Sequence, residues 1–226
     1  MRYKKVLNLL FLGPQGSGKG TQAKILAEKM RMRHLSSGEV LRQTAKTSTP
    51  LGKYLRRQLR TGTLTPVAKL LQVFEQYIKK IPAATGLALD GFARQISETR
   101  ILLRRLAKLG RPIDLVIFID IGERETLKRL SLRGQCDKCN RIFILGGKLA
   151  IGGKCPACGG RIFQREDDTP EAIKKRLAMY RRRTLPVIRF FQSQKLLIKI
   201  RGEQSVERVY RDIVQVLKRR GLIAKA

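Results

Sequence analysis

The chain has 226 residues, 42% hydrophobic and 29% charged, enough for one α/β domain with a real core and one or two small insertions. Its longest apolar runs, such as LVIFIDI at 115–121, fall far short of the roughly 20 residues that a membrane-crossing helix needs. Forty-nine Lys and Arg face 17 Asp and Glu, a formal charge of +32 that invites non-specific polyanion binding; yet the basic residues are dispersed, aromatics are only 6% and Trp is absent, so no specific nucleic-acid reader is expected.

Residues 5–12, KVLNLLFL, are a continuous apolar run of strand length. The charges ahead of it resemble the start of a signal peptide, but the run is not succeeded by a small-residue cleavage site. It leads instead into GPQGSGKGT (13–21), which opens a helix with Ala23, Leu26, Ala27 and Met30 on one face. Strand, glycine-rich turn and helix form the context of a phosphate-binding loop. Gly13, Gly16, Gly18 and Gly20 let the backbone N–H groups, with Ser17, curl around phosphate oxygens, and the helix N-terminus adds positive potential. Lys19 reaches the β- and γ-phosphates as a point charge. The general pattern has Ser or Thr directly after this Lys; here Gly20 intervenes and Thr21 comes second.

MRHLSSGEVLR (32–42) reads as a short strand, a Ser-rich cap and a helix start. Its lone His34 is expected to be a structural or surface residue. From about 37 to 66 the chain is helical and polar, punctuated by TSTPLG and TGTLTP. TGLALDGF (85–92) is a buried strand, ISETRILLRRLAKLG (96–110) an amphipathic helix ending at Gly110, and DLVIFID (114–120) the clearest β-branched run. TLKRLSLR (126–133) is helical. TPEAIKKRLAMYRRRTLPVIRFFQSQ (169–194) reads as one long helix bent at Pro186. KLLIKI (195–200) is the last strand and VERVYRDIVQVLKRR (206–220) the last helix. Strands alternating with helices imply an α/β fold with a parallel sheet.

Between 133 and 166 lie Cys136-x-x-Cys139 and Cys155-x-x-Cys158, 15 residues apart. Two such pairs with no export signal point to a reducing cytoplasm and to a tetrahedral, structural Zn2+ site rather than disulfides; the same four sulfurs accept iron. The segment is Gly-rich and too small to bury its own core, so a metal would hold it rigid.

The GKGTQ form of the phosphate loop (18–22) resembles the adenylate kinases among the nucleoside monophosphate kinases, and further stretches match in order over nearly the whole chain. LSSGEVLR (35–42), GTLTP (62–66), LDGFAR (89–94), RLSLR (129–133), REDD (165–168), KKR (174–176) and RGEQSV (201–206) all resemble family motifs. The resemblance implies a P-loop fold with a five-stranded parallel sheet flanked by helices. It also implies a core of 1–35, 67–133 and 167–226, a helical acceptor-nucleotide insertion at 36–66 and a zinc lid at 134–166. Lys19, Arg94, Arg129, Arg133, Arg165 and Arg176 take catalytic roles. Gly13, Gly16, Ser17, Gly18, Lys19, Gly20, Thr21, Arg129, Arg133 and Gln204 bind ATP. The acceptor falls to Ser37, Arg42, Thr63, Leu64, Thr65, Gly91, Arg94, Glu98, Arg165 and Arg176. Asp90 organises Mg2+ through water, Asp167 and Asp168 help the lid move, and Cys136, Cys139, Cys155 and Cys158 hold the zinc. The implied function is reversible phosphoryl transfer from Mg-ATP to AMP, giving two ADP, by a cytoplasmic monomer without membrane partners.

Three departures from the family pattern stand out. Ala93 replaces a Pro before Arg94, loosening a rigid turn, and Gly134 replaces a lid arginine, so the closed lid clamps less tightly. Glu98 replaces a Gln that pairs with the acceptor adenine. An ionised Glu only accepts hydrogen bonds, which suits GMP better than AMP. Gln95 lies close enough to take over, or Glu98 is a first-turn helix carboxylate behind a Ser97 cap. The reading from another class is a basic zinc-ribbon nucleic-acid binder with a vestigial P-loop.

Overall fold

The computed structural model describes residues 6–60, 66–147, 149–165 and 168–224. The expected acceptor residues Thr63, Leu64 and Thr65, and the expected lid carboxylate Asp167, lie outside them. In chain order the first elements are β1 (Asn8–Leu12), α1 (Lys19–Met30), β2 (Arg33–Ser36), α2 (Ser37–Ala45), α3 (Pro50–Arg60), α4 (Val67–Ile78) and β3 (Leu87–Asp90). Then come α5 (Ile96–Lys108), β4 (Leu115–Asp120), α6 (Glu123–Ser131), β5 (Arg133–Cys136), β6 (Ile142–Ile144) and β7 (Ile162–Phe163). The chain closes with α7 (Pro170–Met179), a π-helical turn (Tyr180–Thr184), α8 (Leu185–Ser193), β8 (Leu197–Arg201) and α9 (Val206–Arg219).

β1 has no face to offer water, and it is buried along its whole length. It pairs in parallel with β3 on one side and β4 on the other; β2 and β8 complete a five-stranded parallel sheet in the order β2-β3-β1-β4-β8. The apolar run of β1 hides a period of two. Leu10 and Leu12 pack under α4, α5 and α8 with Phe74, Leu102 and Phe191, while Leu9 and Phe11 pack against α1 and α9 with Leu26, Met30, Ile213 and Leu217. Because the chain leaves β1 toward β2 and later returns to β4 on its other side, a crevice opens at the carboxyl end of β1.

α2, α3 and α4 pack together beside this crevice around Val40, Leu55 and Leu71. β5, β6 and β7 form a separate antiparallel sheet, β6-β5-β7, whose small core is Cys136, Cys155 and Ile162 with Phe143, Leu145 and Leu149 around them. Gly134 belongs to that core. A β-carbon there would stand 2.7 Å from Leu145 and 2.9 Å from Ile162, so a larger residue at this position would have to displace the lid interior.

Two local expectations change in the structure. The segment 169–194 is not one bent helix. A π-helical turn separates α7 from α8, and Pro186 sits in the first turn of α8. The wider π register accommodates the proline, which lacks an N–H and crowds the carbonyl four residues before it. Likewise α5 begins at Ile96 with Gln95 as its N-cap, so Ser97 lies inside the first turn rather than capping it.

Candidate active site

The phosphate loop joins the carboxyl end of β1 to α1. Gly13 passes so close to β4 that a β-carbon would lie 2.5 Å from the Ile119 carbonyl oxygen. Gly18 is the α1 N-cap, in a left-handed conformation (φ 87°), and supplies no side-chain cap, so the first-turn N–H groups are open to an anion. Lys19 Nζ donates to the Pro14 carbonyl at 3.3 Å. Burial lowers the Lys19 ammonium from its ordinary pKa, Asp90 opposes that shift, and Arg94, Arg133 and Arg165 add to it. Asp90 ends β3, and its Oδ1 is buried without a hydrogen-bond partner among the described residues, as is Ser17 Oγ. Thr21 is exposed at the start of α1.

The other expected arginines are positioned one by one. Arg129, on α6, bonds Glu125 at 2.6 Å and also donates to the Gly16 carbonyl at 3.4 Å and the Gly202 carbonyl at 2.9 Å, tying the phosphate loop to the loop after β8. Arg133, at the head of β5, grips Asp168 with two bonds of 2.7 and 2.6 Å. Arg176, on α7, reaches the same carboxylate at 2.9 Å. The Asp168 side chain is 0% exposed between them. Arg165 Nε donates to Gln135 Oε1 inside the lid. In the loop after β8, Gln204 Nε2 donates to the Arg201 carbonyl and the Asp212 carboxylate.

On the acceptor side, Ser37 Oγ donates to the Gly91 carbonyl at 2.8 Å, joining α2 to the loop after β3. Arg42 is exposed, with its guanidinium over Gly38. Arg94 Nε donates to the same Gly91 carbonyl at 2.9 Å, leaving an exposed side chain. Glu98 is a first-turn residue of α5 and only 4% exposed. Its two oxygens accept the N–H groups of Ala93 (3.0 Å) and Arg94 (3.2 Å). Burial raises the Glu98 carboxyl above its ordinary pKa, while those two N–H groups and the Arg94 charge hold it down. Sequence reasoning missed Gln135 as the partner of Arg165, Glu125 as that of Arg129, and Thr184, whose hydroxyl donates to the Arg94 carbonyl from 90 residues away. Only Glu125 had a local signal, its i,i+4 spacing to Arg129.

The four cysteines converge, with their sulfur atoms all within 4.8 Å of one another. Cys136 and Cys158 are 3.5 Å apart, and Cys139 and Cys155 3.7 Å. A tetrahedral ZnS4 centre has S–S edges of about 3.8 Å, given Zn–S bonds near 2.3 Å, so the donor set fits. Thiols this crowded do not ionise alike. The Arg141 backbone N–H leads in pulling Cys139 down to about 7. Cys158 receives the Gly160 N–H, yet the neighbouring thiols and burial push it up to about 12. A cation at the centre removes that conflict.

A family model described as adenylate kinase matches residues 11–196. Similar curated proteins include an adenylate kinase of Methanothrix thermoacetophila, 37% identical over 94% of this chain and 99% of its own length. Those of Thermosipho africanus and Archaeoglobus fulgidus are 34% and 32% identical, each over 94% of this chain and at least 99% of the relative. The chain belongs to the adenylate kinase family. As a nucleoside monophosphate kinase of that family it has the P-loop architecture and the four-cysteine lid cluster that its sequence resembled. The match does not support a nucleic-acid-binding zinc ribbon with an idle phosphate loop. No helix among the described residues is long and apolar enough to cross a membrane.

Proposed function

We propose that the protein transfers the γ-phosphoryl group of Mg-ATP reversibly to AMP, giving two ADP. The observation that carries this reading is the uncapped start of α1 at the end of the glycine loop, with Lys19 as its first residue and the Asp90 carboxylate against Gly20, while the charges of Arg94, Arg133 and Arg165 act on the lysine. An oxygen of the acceptor phosphate attacks the γ-phosphorus as the bond to the β–γ bridging oxygen breaks, and the chain's part is to position and neutralise charge. The α1 N-terminus, the loop glycines 13, 16, 18 and 20, Ser17, Lys19 and Thr21 hold the donor phosphates, and Arg129 and Arg133 cover them. Arg42 and Arg94 hold the acceptor phosphate, while Ser37, Thr63, Leu64, Thr65 and Gly91 line the acceptor pocket. Arg165 and Arg176 clamp the transferring group, and the loop at Gln204 cups the donor adenine. Mg2+ bound with ATP spreads the phosphate charge, and Asp90 is the residue suited to hold its waters.

The helical insertion at 36–66 and the lid at 134–166 close over the core and exclude water, which protects ATP from hydrolysis. Zn2+ on Cys136, Cys139, Cys155 and Cys158 supplies rigidity to the lid and takes no part in the chemistry. The protein acts as a monomer, and its four clustered free thiols suit the cytoplasm. The test is coupled ADP production from Mg-ATP with AMP, GMP, CMP and UMP side by side. Preference for AMP is expected; preference for GMP would overturn the acceptor assignment, and no turnover from folded, metal-loaded protein would overturn the kinase reading.

A further inference from the structure

Arg94 is held at three points by groups from three parts of the chain. Its backbone N–H goes to Glu98 Oε2 at 3.2 Å, its carbonyl accepts the Thr184 hydroxyl at 3.0 Å, and its Nε bonds the Gly91 carbonyl at 2.9 Å. The residue before it, Ala93, is fully buried and left-handed, with φ 59°. Two successive N–H groups around a left-handed residue make a small anion-binding concavity, and the Glu98 carboxylate fills it. The first of those bonds exists because residue 93 has an N–H, which a proline lacks. Ala93 and Glu98, two separate oddities in the sequence, are thus one feature. Thr184 ends the π-helical turn and is 9% exposed, so its bond to Arg94 is partly shielded from water.

We infer that Glu98 is a positioning residue: together with Thr184 it holds the Arg94 peptide from both sides and aims the guanidinium at the acceptor phosphate, and it does not read the acceptor base. This rests on the reading of Arg94 as an acceptor-phosphate residue. Each Glu98 oxygen accepts a backbone N–H, and with only 4% of the residue exposed the carboxylate has almost no surface to offer a base. Discrimination between bases must then come from other groups, so Glu98 carries no preference for guanine.

Titration calorimetry of AMP, GMP and ATP into the metal-loaded protein tests this, using Glu98→Gln, Thr184→Val, Arg94→Ala and the Arg94→Ala/Glu98→Gln pair. Glutamine keeps the size of Glu98 but turns one acceptor into a donor, and valine keeps the shape of Thr184. Each single change is expected to weaken AMP and GMP alike by about tenfold and to leave ATP within about twofold. Without Arg94, Glu98→Gln is expected to change AMP binding by less than about twofold, because its effect runs through that arginine. A change in the AMP:GMP ratio above about tenfold on Glu98→Gln, or a full effect in the Arg94→Ala background, would overturn the inference in favour of base contact. Normal AMP binding by both Glu98→Gln and Thr184→Val would overturn it outright. If Glu98→Gln does not fold, Thr184→Val alone decides. Since the readout is binding, a wild type that binds AMP without turnover would overturn the kinase reading separately.

Discussion

The β-carbon that Gly20 lacks would stand 2.9 Å from Oδ2 of Asp90. One residue is in the first turn of α1, the other at the end of β3, and the strand-end carboxylate occupies the space of a side chain on the helix. This is why the phosphate loop reads Gly-Lys-Gly-Thr, with the hydroxyl one place later than in the general pattern.

Gly20→Ala is therefore expected to turn Asp90 away from its place. An alanine inside a helix gains up to about 1 kcal/mol of propensity over glycine, so stability should hold or rise slightly. Turnover should fall by roughly tenfold or more, because a misplacement of about 1 Å is enough for that. Parallel thermal melts and steady-state rates check it; a parallel loss of both would sink the explanation.

Asp168 holds Arg133 and Arg176 with no exposure of its own side chain. Asp168→Asn removes the charge from a buried cluster and leaves two guanidinium groups facing each other. The expected cost is about 3 kcal/mol of stability, measured by urea unfolding, together with a raised KM for ATP. A cost below about 1 kcal/mol would place the cluster in the class of solvated surface pairs.

Among the described residues the buried lid core is Cys136, Cys155 and Ile162, whereas the cores on either face of the main sheet contain no cysteine. Cys155→Ser is expected to lose the metal, measured as about one zinc per chain in the wild type and well below that in the variant. Cleavage by protease should appear between 146 and 154 while the main sheet stays folded by far-UV circular dichroism. Turnover should fall by roughly tenfold, since a loose lid closes poorly. Resistance of the lid to protease after metal loss would mean that packing alone holds it.

His34 is the single histidine, and its Nε2 is buried without a partner among the described residues. Burial lowers its pKa from 6.5; Asp90 and Glu39 oppose the shift, Lys24 adds to it, and Glu28 opposes it. The unfolded chain then binds a proton at a higher pH than the native protein does. Stability from this group is full above 6.5 and is lost as pH falls toward the lower native value. Proton NMR of the imidazole should give a midpoint below 6.5, and His34→Gln should flatten the stability profile just beneath that pH. A midpoint at or above 6.5 would contradict the burial argument.

Where a function needs residues close in sequence, it was legible in the sequence. The strand–glycine turn–helix context marked Lys19, and paired Cys-x-x-Cys spacing marked the four-cysteine cluster, because a turn or a knuckle is built from its own neighbours. Continuous apolar runs alternating with amphipathic helices marked the parallel sheet, because burial on both faces leaves no room for polar residues.

Only the tertiary structure decided what the side chains of those motifs do. Glu98 allowed three readings in the sequence, and its two bonds to Ala93 and Arg94 depend on a left-handed turn that residue identity does not announce. Thr184 reaches Arg94 across 90 residues through a π-helical turn, and Asp168 gathers arginines from β5 and α7. Gly134 proved to belong to the lid core, where local pattern offered only a missing arginine. Spacing along the chain encodes neighbours within a turn or two. Partners brought together by packing are settled by the free energy of the whole fold, so they appear only once the sheet and its helices are in place.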